Sequence, residues 1–282
     1  MPLVRSDIHF DKDAALRVLV DGGLEADIDA YTLFNQPAEW MGMPHPLAGV
    51  PHQPSPSFLH ETDLPSAGNE VLTRLNADTR KRIMRRMRKM EELGPVSLVH
   101  ASTPEQVSAI VESYRRYKPI RFEEMGALAE VDVASTSELI AKTALGPSPA
   151  MEVYGLLAGD RIASMCAGVP HAGRFHAMVN SYDTSTDLAR TSPGELITLQ
   201  LMQWLADRGF REFDLGVGEA PYKDKWCERK RPLFDAFVSV NPKGGLYCVA
   251  QRGRQRVKRM IKQNHALWSM VMKARSLARR RS

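Results

Sequence analysis

Residues 191–226, TSPGELITLQLMQWLADRGFREFDLGVGEAPYKDKW, decide the fold, because they read as loop, helix, strand and a second helix start without interruption. Ser192, Pro193 and Gly194 break the chain just before an apolar-periodic run. The unpaired N–H groups of such a first turn, at the positive end of the helix dipole, bind anions. Leu196, Leu199, Leu201, Met202 and Leu205 form the inward face, and Gly209 suits a left-handed cap. A buried strand, Phe210 to Leu215, leads directly into Gly216, Gly218, Tyr222 and Lys223.

Upstream, EVYGLLA, RIASMCAGV and RFHAMVNSYD between residues 152 and 183 read as antiparallel strands, separated by turns at Gly159-Asp160 and His171-Ala172-Gly173. Before them come a strand VSLVHA from Val96, a helix opened by Thr103-Pro104-Glu105, and a second helical region near 121–145. A basic helix capped by Asn76 or Asp78, with Ile83, Met84, Met87 and Met90 as its apolar positions, ends at Gly94. Strand meander, helix, strand, helix and a final strand at Phe234 to Val240 predict a mixed α/β domain. No repeat of solenoid length recurs.

Residues 1–60 hold a short helical pattern around Ala14 to Leu24 and an extended AYTLFN at 30–35. Pro44, Pro46, Pro51, Pro54 and Pro56 then follow, too many for a helix or a central strand. The overall composition, 43% apolar and 25% charged over 282 residues, is that of a globular protein with one or two cores. The N-terminus lacks a signal-peptide pattern and no apolar run is long enough for a bilayer, so the cytoplasm is the expected location. Cys166, Cys227 and Cys248 are widely spaced, which supports neither a disulfide framework nor a zinc site.

The net charge of +5 is uneven. Eleven Lys and Arg residues and no Asp or Glu lie between Gln251 and Ser282, leaving the rest of the chain net negative. With Val257, Met260, Ile261, Leu267, Trp268 and Val271 among them, this segment reads as a basic amphipathic helix suited to an anionic membrane surface at the inner face, or as an unstructured solubilising tail. Nucleic acid ranks lower, since no recognised binding pattern accompanies the charge.

The pattern SPG, apolar helix, Gly, FDLG, G-E-x-x-YK is similar to the GNAT-type acyltransferase domain of the cellulose-biosynthesis (CelD/BcsL-like) branch, a fold related to FemX-like and leucyl/phenylalanyl-tRNA transferases. LTRLNADTRKRIMRRMRKMEELG at 72–94 resembles the basic helix that precedes that domain. AEWMGMPHPLAG at 38–49 resembles its upstream segment, with His45 where the family more usually has Asn. The resemblance implies a mostly antiparallel sheet flanked by helices over residues 96–248. It also implies a remnant of a first transferase-like half at 1–70, a connecting helix at 71–95 and a basic tail at 249–282.

The same resemblance implies a site for acetyl-CoA or another acyl-CoA as co-substrate, without a metal. Arg190, Thr191, Ser192, Gly194 and Glu195 form the implied pyrophosphate cradle, although Pro193 replaces a family glycine and removes one donor. Asp214 ends the strand that, in this fold, splays from its neighbour to admit the pantetheine arm. Tyr222 is the implied general acid, a phenol near 10 facing a thiol near 8.5. Lys223 suits a phosphate or an oxyanion, and Asp214, Glu219, Asp183 and His176 are the candidate bases. Arg121, His176 and Tyr182 are expected on the acceptor side. Alternation along the strand places His176, Met178 and Asn180 on one face. The implied function is N-acyl transfer from acyl-CoA to an amine, in envelope or exopolysaccharide metabolism. The alternatives are FemX-like transfer from aminoacyl-tRNA, with the basic helix at 80–89 as tRNA contact, and an inactive scaffold.

Overall fold

The computed structural model describes residues 11–40, 42–125, 132–218, 220, 222–264, 267 and 270. In chain order the first elements are α1 (Lys12–Glu25), β1 (Ala30–Pro37), β2 (Glu39–Trp40), β3 (Met43–Pro44), β4 (His52–Asp63), α2 (Ala77–Glu91) and β5 (Val96–His100). Then come α3 (Pro104–Met125), α4 (Val133–Thr143), β6 (Glu152–Ala158), β7 (Arg161–His171), β8 (Arg174–Tyr182) and α5 (Thr186–Ala189). The last are α6 (Pro193–Asp207), β9 (Glu212–Val217), α7 (Lys223–Trp226), β10 (Arg229–Ser239) and α8 (Pro242–Gln263). The result is the mixed α/β fold expected, with a mostly antiparallel sheet and flanking helices. Packing divides the chain into two units, 1–60 with 217–219 and 230–282, and 61–216 with 220–229.

In the first unit, β1 pairs antiparallel with β10 from Ala30↔Ser239 to Pro37↔Leu233, and β4 lies on the other side of β10. Ala15, Leu47, Val50, Phe234, Ala236 and Val238 form its core. Among the described residues, 11–60 thus pack with β10 and α8. Pro54 and Pro56 stand within β4, a strand that the proline content argued against. Both occupy the same alternation of the backbone, so their missing donors fall on one side of the strand while Gln53, Ser55 and Ser57 keep theirs on the other. α8 begins at Asn241, whose side chain accepts the Gly244 N–H at 2.9 Å. It thus starts well before the tail boundary expected at 249. Most of the segment after Asn264, including Trp268 and Val271, lies outside the described residues.

In the second unit the strand order is β9-β8-β7-β6-β5, antiparallel except for the β8–β9 pair. The three-strand meander falls where alternation and turns predicted it. One core packs α6 and α2 on the sheet through Ile83, Met90, Leu196, Leu205, Phe175 and Phe213. A second core packs α3 and α4 on it through Ile110, Tyr114, Ile140, Met165 and Ala167. Asn76 is the cap of α2, accepting the Thr79 N–H at 2.8 Å. α6 ends in a Schellman arrangement: Gly209 has φ 78°, Phe210 donates to the Leu205 carbonyl at 3.0 Å and Gly209 to that of Ala206 at 2.9 Å. That exit consumes Phe210, so β9 starts at Glu212 and not at Phe210. α3 continues through Pro119, so Arg121 lies in its last turns and does not open a new helix.

Candidate functional site

β8 and β9 run parallel, which requires a crossover between them, and α6 is that crossover. Their pairing consists of Arg174↔Glu212, Phe175↔Phe213 and His176↔Asp214. β8 continues to Tyr182 without further pairing to β9, so the strands part after His176. Gly216 helps to turn β9 away. Its φ of 76° is strained for any side chain, its N–H donates to Asp214 Oδ1 at 2.7 Å, and its carbonyl accepts Lys223 Nζ at 3.1 Å. Lys223 is buried, and its ammonium steadies this bend.

His176 and Asp214 close the paired end, with Nδ1 and Oδ2 at 2.9 Å and both side chains largely buried. A carboxylate accepting from Nδ1–H fixes the tautomer and the ring orientation. The face expected for His176 needs correction. Between β7 and β8 the register runs Ala167↔Val179 and then Gly168↔Ala177, leaving Met178 as the extra residue of a bulge. A one-residue slip exchanges the faces. His176 is opposite Val169, which packs on the α3–α4 core, while Asn180 is opposite Cys166 of the α6 core. Gly168 permits the bulge, because a Cβ there would lie 2.3 Å from the His176 carbonyl oxygen.

Beyond the bulge, Tyr182 at the end of β8 gathers several of the predicted residues. A Cβ on Gly194 would lie 3.0 Å from the Tyr182 ring, and the Arg121 guanidinium lies 4.6 Å above that ring. Tyr222 hydrogen-bonds the Asn180 side chain and also senses Tyr182. Burial, reinforced by neighbouring Cys166 and Cys227, pushes the Tyr222 phenol up to about 12. It therefore keeps its proton and acts as a hydrogen-bond donor. Asp183, the other carboxylate at this end, is held below the usual range. Burial opposes its ionisation, but hydrogen bonds from Ser185, Tyr117 and Arg161 outweigh that opposition.

The loop at 190–195 is more self-contained than its sequence implied. Thr191 and Ser192 donate their N–H groups to Leu188 and Ala189, and those of Glu195 and Leu196 go to the Ser192 carbonyl. The Thr191 hydroxyl is buried and donates to Leu188 O at 2.7 Å. Ser192 occupies the left-handed region at φ 56° and makes no side-chain cap bond. Glu195 is buried and ion-pairs with Arg86 of α2 and with Lys225 at 3.5 Å. The Gly194 N–H, the Ser192 hydroxyl and the exposed Arg190 are left for an anion, and the side chains of Thr191 and Glu195 are not. Glu219 lies outside the described residues.

The acetyltransferase (GNAT) domain family matches residues 77–224, more than half of the chain. The chain belongs to this family. The GNAT domain gives it an acyltransferase fold and marks it as a transferase. Among solved structures it is similar to a conserved protein of unknown function from Bacteroides thetaiotaomicron, with a TM-score of 0.55 at 10% identity over 81% of this chain and 76% of that one. It is also similar to the C-terminal domain (DUF2156) of a putative lysylphosphatidylglycerol synthetase from Agrobacterium fabrum, with a TM-score of 0.55 at 12% identity over 86% and 76%. A third is FemX, with a TM-score of 0.52 at 10% identity over 85% and 79%. At these identities the likeness is one of fold. No curated protein matches the sequence.

Two residues beside this candidate site were not among those expected there. Asn180 meets Tyr222, and Lys118 of α3 donates to the Asn180 carbonyl at 3.0 Å. Burial, then Arg121, lowers the Lys118 ammonium from its ordinary value. Neither residue belongs to a motif; strand register alone brings them in. Among the described residues no group of three or more His, Cys, Asp or Glu side chains is arranged to hold a metal ion.

Proposed function

We propose that this chain transfers an acyl group from a coenzyme A thioester to an amine in the opening where β8 and β9 part. The observation that carries this reading is the end of pairing at His176↔Asp214, with Gly194 of α6 beside Tyr182, and Tyr222 beside Asn180, on the freed part of β8. The amine nitrogen attacks the thioester carbonyl, the C–S bond breaks, and the thiolate leaves. Tyr222 stabilises that developing charge by hydrogen bonding, since complete transfer from a phenol at about 12 is uphill against a thiol near 8.5. His176, oriented by Asp214, takes the proton of the amine. Gly194 N–H, Ser192 and Arg190 hold the diphosphate. The resemblance to the cellulose-biosynthesis branch supports an amino sugar or similar amine of an envelope or exopolysaccharide pathway as acceptor.

A second reading, transfer of an aminoacyl group from tRNA, is favoured by a specific observation. Four of the N–H groups around the cradle already have acceptors, which leaves little for a diphosphate. The neighbours FemX and the lysylphosphatidylglycerol synthetase domain fit this reading as well, and α2 exposes Arg80, Lys81, Arg85, Arg88 and Lys89. Calorimetry separates the two. Heat on titration with acetyl-CoA, with weak retention of charged tRNA, supports the thioester. Absence of that heat together with tRNA affinity that falls steeply with salt selects the second reading.

A further inference from the structure

We propose that α8 is a docking surface for an anionic lipid membrane. This inference is independent of the transferase chemistry. α8 packs on the first unit through Gly244, Cys248 and Gln255, and it is fastened there by cations on its flanks. Arg256 Nε donates to Gln53 at 3.2 Å, Arg259 to the Ser55 carbonyl at 2.7 Å, and Lys262 Nζ to Ser57 Oγ at 2.8 Å. At about 100° per residue, Leu246, Val249, Val257 and Met260 lie within about 80° of one another, on the side of the helix opposite that packed face. They are 77%, 66%, 55% and 63% exposed, respectively. Four large aliphatic side chains thus form an outward apex on a surface helix.

The charge beside that apex identifies its occupant. Arg254 and Lys258 are exposed along one side of the stripe and Arg256 along the other, and residues 242–263 include no Asp or Glu. An apolar ridge with cations on both sides matches a lipid surface, where the ridge enters the acyl boundary and the cations meet anionic headgroups. Nucleic acid would use the cations but offers a phosphate backbone no partner for the ridge. Two copies joined through this stripe would bring these like charges together without acidic compensation from the helix. The lipid surface satisfies both features at once.

The test is flotation of the full chain with phosphatidylcholine vesicles, with and without a quarter phosphatidylglycerol, at physiological salt. Wild-type protein floats with the anionic vesicles only. Leu246→Ser/Val257→Ser/Met260→Ser and Arg254→Glu/Lys258→Glu each reduce the floated fraction about tenfold or more. All of these side chains are exposed, so circular dichroism and melting remain those of the wild type. Failure of wild-type protein to float, equal flotation on neutral vesicles, or variants that float like wild type would each overturn the proposal. So would RNA retention or a wild-type dimer dissociated by the serine variant, if either appears without flotation.

Discussion

Replacing Arg86 with methionine tests how the N-terminal turn of α6 is held. The Glu195 side chain is 7% exposed and its partner Arg86 is 25% exposed, so the pair is mostly removed from water. Removing one member of a buried pair costs about 3–5 kcal/mol, because the other charge stays behind unpaired. Here Lys225 remains 3.5 Å from the second carboxylate oxygen. Arg86 also retains some solvent, which reduces the loss to about 2–3 kcal/mol. For a unit of this size that is a drop in melting temperature of roughly 5–10 °C. Urea denaturation of Arg86→Met, Glu195→Gln and the double variant measures it. The double variant should be less destabilised than the two singles summed, by about 1 kcal/mol or more. Strict additivity, or a loss below about 0.5 kcal/mol for Arg86→Met, would refute the claim that this pair fastens α2 to α6.

Three further outcomes follow from the geometry. Gly168→Ala places a methyl group against the His176 carbonyl and the Phe175 ring, and should cost about 3 kcal/mol or prevent soluble expression; a stable variant would show that the bulge is dispensable. Tyr222→Phe should lower turnover about tenfold to a hundredfold with donor affinity within about twofold, measured by steady-state kinetics with titration calorimetry. An unchanged rate would remove Tyr222 from the chemistry. Stability should decline as pH rises from about 9 towards 12. Burial pushes Cys166 and Cys227 up from 9.0 to about 12, and Tyr222 up from 10.0 to about 12. The unfolded chain therefore loses these protons first, and stability present below pH 9 is lost as the folded values are reached. Cys166→Ala/Tyr222→Phe should flatten that decline in alkaline urea titrations, and an equally steep profile would exclude these groups as its cause.

The sequence announces those parts of the fold that rest on local patterns. Apolar spacing from Leu196 to Leu205 and the glycine at 209 locate α6, and alternation with turn residues locates β6, β7 and β8. Local patterns could not show the extra residue at Met178, because a bulge is a property of two paired strands. That slip moved His176 to the face opposite Asn180. The pairing of Arg86 with Glu195 spans 109 positions and depends on how α2 meets α6. Pro54 and Pro56 argued against a strand, because their spacing in the sequence does not show that both missing donors fall on one side of β4. At the site, Asp214, Tyr222 and Lys223 were visible as chemistry-bearing residues at a strand exit. The state of the cradle was not, since whether an N–H is available depends on the left-handed turn at Ser192.

Hydrogen–deuterium exchange, recorded with and without acetyl-CoA, bears most directly on the opening between β8 and β9. Backbone amides of residues 177–182 and the Gly194 amide should slow markedly on ligand addition, while β5 and β6 remain unchanged. Unaltered exchange at both positions with saturating acetyl-CoA, or protection confined to other elements, would contradict donor binding in that opening.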